Sequence, residues 1–133
     1  MPWGHVRVLL LKTFHRYRRR EGITDAALAD AIRRAEQGLI DAALGGGLIK
    51  QRVARKGGGR SGGYRTIIAY RHGARSVFLL GFAKNELDNI ADDELAVLKK
   101  MAAATLGHDD RAIAKAITDG SLWEIDYDDE EAQ

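Results

Sequence analysis

The apolar positions of this chain switch between two periods, and the switches outline the fold. Val6 to Leu11, "VRVLLL", is a continuous β-branched and leucine run that predicts a buried strand. "HRYRRREG", from His15 to Gly22, predicts a short helix ending at its glycine. In "ITDAALADAIRRAEQG" Leu28, Ile32, Ala35 and Leu39 recur on one helical face, with Thr24 as N-cap and Ile23 placed to staple onto Leu28. Leu44 to Ala54, "LGGGLIKQRVA", predicts a glycine turn followed by a strand with Leu48, Lys50, Arg52 and Ala54 on one side and Ile49, Gln51 and Val53 on the other. Gly62 to Arg71 predicts a second strand, His72 to Arg75 a hairpin turn, and Ser76 to Asn85 a third strand, the most apolar and therefore central. Asp92 to Leu106 predicts a helix capped by Asp92, with Lys99 and Lys100 in its later turns, and Asp109 to Gly120 another helix. "SLWEIDY" alternates, which puts Trp123, Ile125 and Tyr127 on one face of an added edge strand. Strands grouped as hairpins with helices outside them predict an α+β fold and not a doubly wound sheet.

Length adds that the 133 residues form one domain with room for a core. The expected division is a body over residues 1–107 and an extension over 108–133, packed on the same domain and ending in a frayed acidic tail. The chain has no cysteine, so disulfides and thiolate zinc sites are excluded and a cytoplasmic location fits. The apolar run near its start is too short for a signal segment or a membrane span.

Charge changes the picture more. The net charge of +2 conceals a segregation: residues 42–85 hold nine Lys or Arg and no acid, whereas residues 86–133 hold four bases and fourteen acids. Such a basic middle suggests a polyanionic partner. The alternative is that the acidic end folds back and neutralises it. Gly57, Gly59 and Gly62 satisfy G-x-G-x-x-G, but "YRTIIAY" after them is a strand, where a dinucleotide site needs a helix. A P-loop needs Gly-Lys-Ser/Thr, and here Gly62 and Gly63 lead to Tyr64. What remains is a basic hairpin. Arg55, Lys56 and Arg60 on its glycine-rich loop supply neutralising charge to a closely approaching phosphate chain. Lys50 and Arg52 share one side of a strand and Arg65 faces that side from its neighbour. Arg71 extends the block, and Tyr64 and Tyr70 offer stacking surfaces. Basic groups interleaved with aromatics suit single-stranded RNA. His5, His15, His72 and His108 are scattered with no metal spacing, and no Ser-His-Asp arrangement is suggested. Glu86 and Asp88 begin the connection to the next helix. Any cleavage chemistry therefore rests on Lys and Arg.

The strings "KQRVARKGGGRSGGYRTIIAYR", "FLLGFAKNELDNI" and "DDELAVLKK", in this order, resemble the RelE/HigB-like toxins of bacterial toxin–antitoxin pairs over about residues 6–106. The resemblance implies helices packed on a small twisted antiparallel sheet and metal-independent, cofactor-free cleavage of mRNA in the ribosomal A site. It also implies an antitoxin that covers the basic face, commonly of helix-turn-helix type. Carried over, the family's strand bases fall on Lys50 and Arg52, its "GYR" arginine on Arg65, and its last basic pair on Lys84 and Asn85. Its tyrosine beyond that strand meets Ile90 or Ala91, so one base and the tyrosine are missing. RNA brings its own nucleophile, the 2′-hydroxyl. Lys50 is the candidate general base, Arg52 and Arg65 the cations for the phosphorane, and Lys84 a proton donor or further clamp. Two other functions stay open: a ParE-like toxin that binds DNA gyrase, and an RNA- or ribosome-binding protein that does not cut.

Overall fold

The computed structural model describes residues 6–55, 59–83 and 90–127, with the side chains of residues 55 and 59–62 left undescribed. A six-stranded sheet runs through its middle. The strands are β1 (Arg7–Leu11), β2 (Ala42–Gly45), β3 (Leu48–Arg55), β4 (Gly59–Arg71), β5 (Arg75–Ala83) and β6 (Leu122–Ile125), in the spatial order β2-β3-β4-β5-β1-β6. All pairings are antiparallel except that of β1 with β5. Helices α1 (Lys12–Glu21) and α2 (Asp25–Glu36) precede β2, and α3 (Asp92–Gly107) and α4 (Asp110–Asp119) lie between β5 and β6.

The central strands are apolar on consecutive residues because both faces of the sheet are covered. Val8, Leu10, Ile49, Val53, Ile68 and Phe78 pack on one face with Leu28 and Ile32 of α2 and Phe14 of α1. Leu9, Leu48, Ile67, Val77 and Leu79 pack on the other with Leu98, Ala102 and Leu106 of α3 and Ile113 of α4. The α+β expectation holds, with the parallel β1–β5 pair as its one departure from an all-antiparallel sheet.

Several local expectations are corrected. α1 starts at Lys12, directly from the end of β1, and its N-cap Leu11 makes no side-chain bond. Strand β2 is additional; it ends in the turn Gly45-Gly46-Gly47, where all three φ angles lie between 61° and 82°, so only glycine fits without strain. Asp92 is the first residue of α3 and does not cap it; Ala91 holds that place without a side-chain bond. The far end of α3 carries no base of its own. Arg71 Nη1 donates to the carbonyl of Leu106 at 2.9 Å, and Arg75 Nη1 to those of Thr105 and His108 at 2.8 and 2.9 Å. Sheet arginines thus satisfy the carbonyls that Lys99 and Lys100, in the middle of the helix, do not reach. Burial, followed by the charges of Arg7 and Arg71, lowers the Arg75 pKa.

β6 forms the edge beyond β1, with Leu122 and Ile125 buried on opposite faces. At the opposite edge Gln51, fully buried, ties three segments together. Its amide donates to the carbonyls of Ala31 and Leu39 at 3.0 and 2.9 Å and accepts from the Asp41 N–H at 3.1 Å.

Candidate functional site

The face of the sheet beneath α3 is apolar over most of its length and turns cationic at one end. Along β3 the inward order is Leu48, Lys50, Arg52; along β4 it is Ala69, Ile67, Arg65. Lys50 stands across from Ile67, and Arg52 directly across from Arg65. On the other side Arg65 is paired with Phe82, which is buried. Lys50, Arg52 and Arg65 are each half-buried.

The backbone sets how close the two arginines come. The carbonyl of Arg52 points away from β4 and accepts from Arg34 Nη2 at 2.6 Å. Arg52 and Arg65 therefore occupy a non-hydrogen-bonded site of the ladder, the kind with the shorter separation, about 4.5 Å between Cα atoms. Arg34 itself is steadied by Asp30 one helical turn earlier, with Nε to Oδ2 at 3.1 Å. It closes the open edge of β3 where β2 has ended, since β2 pairs only as far as Ala42 with Lys50. A cleft of about 610 Å³ lies at this edge, lined by Arg34 and Arg52 together with Asp30, Leu39, Ile40 and Asp41.

Gly63 fixes the other side. A Cβ there would come within 2.5 Å of the Val53 carbonyl and 3.3 Å of Arg52 Cγ. The register between β3 and β4 shifts between Val53 and Arg55, a bulge that brings the β3 backbone onto this glycine. The expectation of a strand that starts only at Gly62 is corrected accordingly, because β4 starts at Gly59.

The electrostatics are one-sided. Nε of Arg52 and Nη1 of Arg65 are buried and have no hydrogen-bond partner among the described residues. Neither arginine, nor Lys50, belongs to an ion pair among those residues. The two arginines stand opposite each other in the ladder, each with an unused donor and neither with an ion-pair partner among the described residues. An arrangement of this kind costs free energy in the free protein and is relieved by a multivalent anion.

The fold brings Lys50, Arg52 and Arg65 to one surface and does not bring Tyr64, Tyr70 or Arg71 there. Tyr64 follows strand parity to the opposite face, where it is buried edge-on to Tyr17, with its hydroxyl 3.3 Å from the Glu21 carbonyl. Tyr70 lies on that face too, its hydroxyl donating to Glu36 at 2.5 Å; burial and this carboxylate raise its pKa. Arg71 sits at the far end of β4 against α3. Lys56, Lys84 and Asn85 lie outside the described residues, as do the side chains of Arg55 and Arg60. Sequence reasoning missed Arg34 and Gly63. The contact of Arg34 spans 18 residues and carries no local signal.

Fold and site together define a small α+β protein with a basic cluster at one end of its sheet. The chain belongs to the RelE family: residues 6–125 match the family described as RelE toxin of the RelE / RelB toxin-antitoxin system. The match runs through α4 and β6, past residue 106 where the quoted strings end. No curated protein matches the chain. Membership makes it a toxin of a toxin–antitoxin system, and no helix among the described residues is long and apolar enough to cross a membrane.

Proposed function

We propose that this toxin is a ribosome-dependent endoribonuclease that cuts mRNA and is neutralised by a cognate antitoxin of helix-turn-helix type covering its basic end. The observation that carries this reading is the opposed Arg52–Arg65 pair, with two buried donors that lack a hydrogen-bond partner, and with no ion pair, among the described residues. A scissile phosphate seated there receives guanidinium bonds from both strands. Lys50, on the same side of β3, takes the proton of the 2′-hydroxyl as general base. The 2′-oxygen attacks phosphorus, the bond to the 5′-oxygen breaks, and a 2′,3′-cyclic phosphate and a 5′-hydroxyl result. Arg52 and Arg65 hold the phosphorane charge, as preorganised donors do best in a site with little water. Lys84 supplies the proton to the leaving oxygen or adds a further clamp. Work on translating ribosomes places the protein in the cytoplasm.

The test is induction of the chain followed by mapping of RNA 5′ ends. New 5′-hydroxyl ends confined to translated RNA are expected. Intact RNA with double-strand DNA breaks identifies a gyrase poison of ParE type; intact RNA with arrested ribosomes identifies a binder that does not cut.

A further inference from the structure

A second cationic surface lies on the other side of the molecule, centred on α1. Lys12, Arg16, Arg19 and Arg20 are exposed, and none has an ion pair among the described residues; only Arg18 of this helix is paired, to Asp25. At 100° per residue they fall with His15 on one arc, while Phe14 and Tyr17 face the sheet. The only acid of α1, Glu21, lies off that arc. Asp119, exposed on α4, interacts electrostatically with Lys12.

Beside this arc stands an exposed aromatic. Trp123 of β6 is 49% exposed, and one of its faces is stacked on His15 at 4.2 Å and 11°. Arg18 Nε donates to His15 Nδ1 at 3.2 Å, which leaves the ring proton on Nε2. The imidazole is thus oriented by α1 and stacks on an indole that stays half exposed. Glu124 follows Trp123 in sequence, but strand parity directs it to the opposite side, where it pairs with Arg7.

We propose that this α1–Trp123 surface is a second RNA-binding site, in which Lys12, Arg16, Arg19 and Arg20 contact backbone phosphates and an unstacked base lies on Trp123. Exposed cations with no ion pair among the described residues, beside a half-exposed indole, are the elements of sequence-tolerant RNA binding. The nucleotides that occupy the Arg52–Arg65 end cannot also occupy this site. β3 and β6 are separated by three strands, roughly 19 Å at the usual strand spacing, and the two surfaces lie on opposite faces of the sheet. It therefore takes a second segment, as a folded RNA presents. Identification of that RNA as ribosomal rests on the nuclease reading above; the binding surface does not.

The probe is a structured hairpin RNA with a single-stranded loop, titrated into the Trp3→Phe protein so that Trp123 is the sole indole. Quenching of its emission on RNA binding is expected. The double variant Arg16→Glu/Arg19→Glu should lose about tenfold or more in affinity and flatten the slope of log K against log salt by about 2. Unchanged Trp123 emission with RNA bound, or unchanged affinity in the double variant, overturns the proposal. So does a double variant that binds RNA normally but no longer binds the antitoxin, which makes the surface a protein interface. Cleavage by the wild type is followed in parallel on programmed ribosomes. Quenching without cleavage removes the nuclease reading and leaves the surface; cleavage without quenching does the reverse.

Discussion

Replacing Arg65 by methionine should stabilise the protein. The substitution keeps most of the aliphatic stem beside Phe82 and removes the charge opposite Arg52. Two like unit charges held close at the protein surface, at an effective dielectric between the protein and bulk-water values, repel by about 1 kcal/mol. Arg65 Nη1 is also a buried donor with no partner among the described residues, worth about 1 kcal/mol or more when orphaned. Allowing for lost packing of the planar group, the net gain is about 1–2 kcal/mol, or a rise in Tm of roughly 3–6 °C for a chain of this length. Thermal unfolding followed by circular dichroism measures it. The same origin predicts a salt response: sulfate should raise the wild-type Tm more than chloride at equal ionic strength, and much less in Arg65→Met, because a divalent anion seats between the two guanidinium groups. A Tm that falls by several degrees in Arg65→Met, with no sulfate effect in the wild type, would refute the view that this pair is held uncompensated for an anion.

Three further outcomes follow from local geometry. Gln51→Leu leaves the Asp41 N–H and the Leu39 carbonyl without their buried partner and should cost about 2–4 kcal/mol, measured by urea unfolding; a loss under 0.5 kcal/mol would show that water replaces the amide. Gly63→Ala, with a Cβ 2.5 Å from the Val53 carbonyl, should shift β3 and lower both Tm and cleavage without altering any charge; wild-type cleavage in that variant would show that the Arg52 position tolerates such a shift. The His15 pKa is lowered first by burial and then by Arg18 and Arg19, with Asp25 opposing. The unfolded chain thus binds more protons below the ordinary value of about 6.5, and stability at His15 is complete above that value and lost as pH falls through the folded pKa. Trp123 emission in Trp3→Phe protein should fall with a midpoint below 6.5 as the stacked ring protonates; a midpoint at or above 6.5 contradicts the assignment.

The readable parts of the fold were those with a local cause. The runs at Val8–Leu10, Ile67–Ala69 and Val77–Leu79 announced buried strands, and Thr24, whose hydroxyl accepts from the Ala27 N–H, announced the start of α2. "AALG" has no β propensity, so β2 is visible only through its pairing with β3. The parallel β1–β5 contact joins residues nearly 70 positions apart, and strands apolar on both sides do not reveal the direction of their neighbours. Strand parity located Lys50, Arg52 and Arg65 on one face correctly, and the same parity sends Tyr64 away from Arg65. The arginine tether to the β3 edge and the crowding at Gly63 come from tertiary approach and leave no trace in spacing.

On the proposed reading Arg65 stabilises charge that develops during RNA cleavage, and not merely bound RNA. Single-turnover cleavage of mRNA on programmed ribosomes, run beside ribosome-binding measurements, tests it for Arg65→Ala. The account predicts a loss of about 10²-fold in the cleavage rate, the cost of removing one preorganised donor to a developing oxyanion, with binding changed no more than about threefold because Lys50 and Arg52 remain. Equal losses in rate and binding would make Arg65 a phosphate anchor, and no loss in either would remove it from the site.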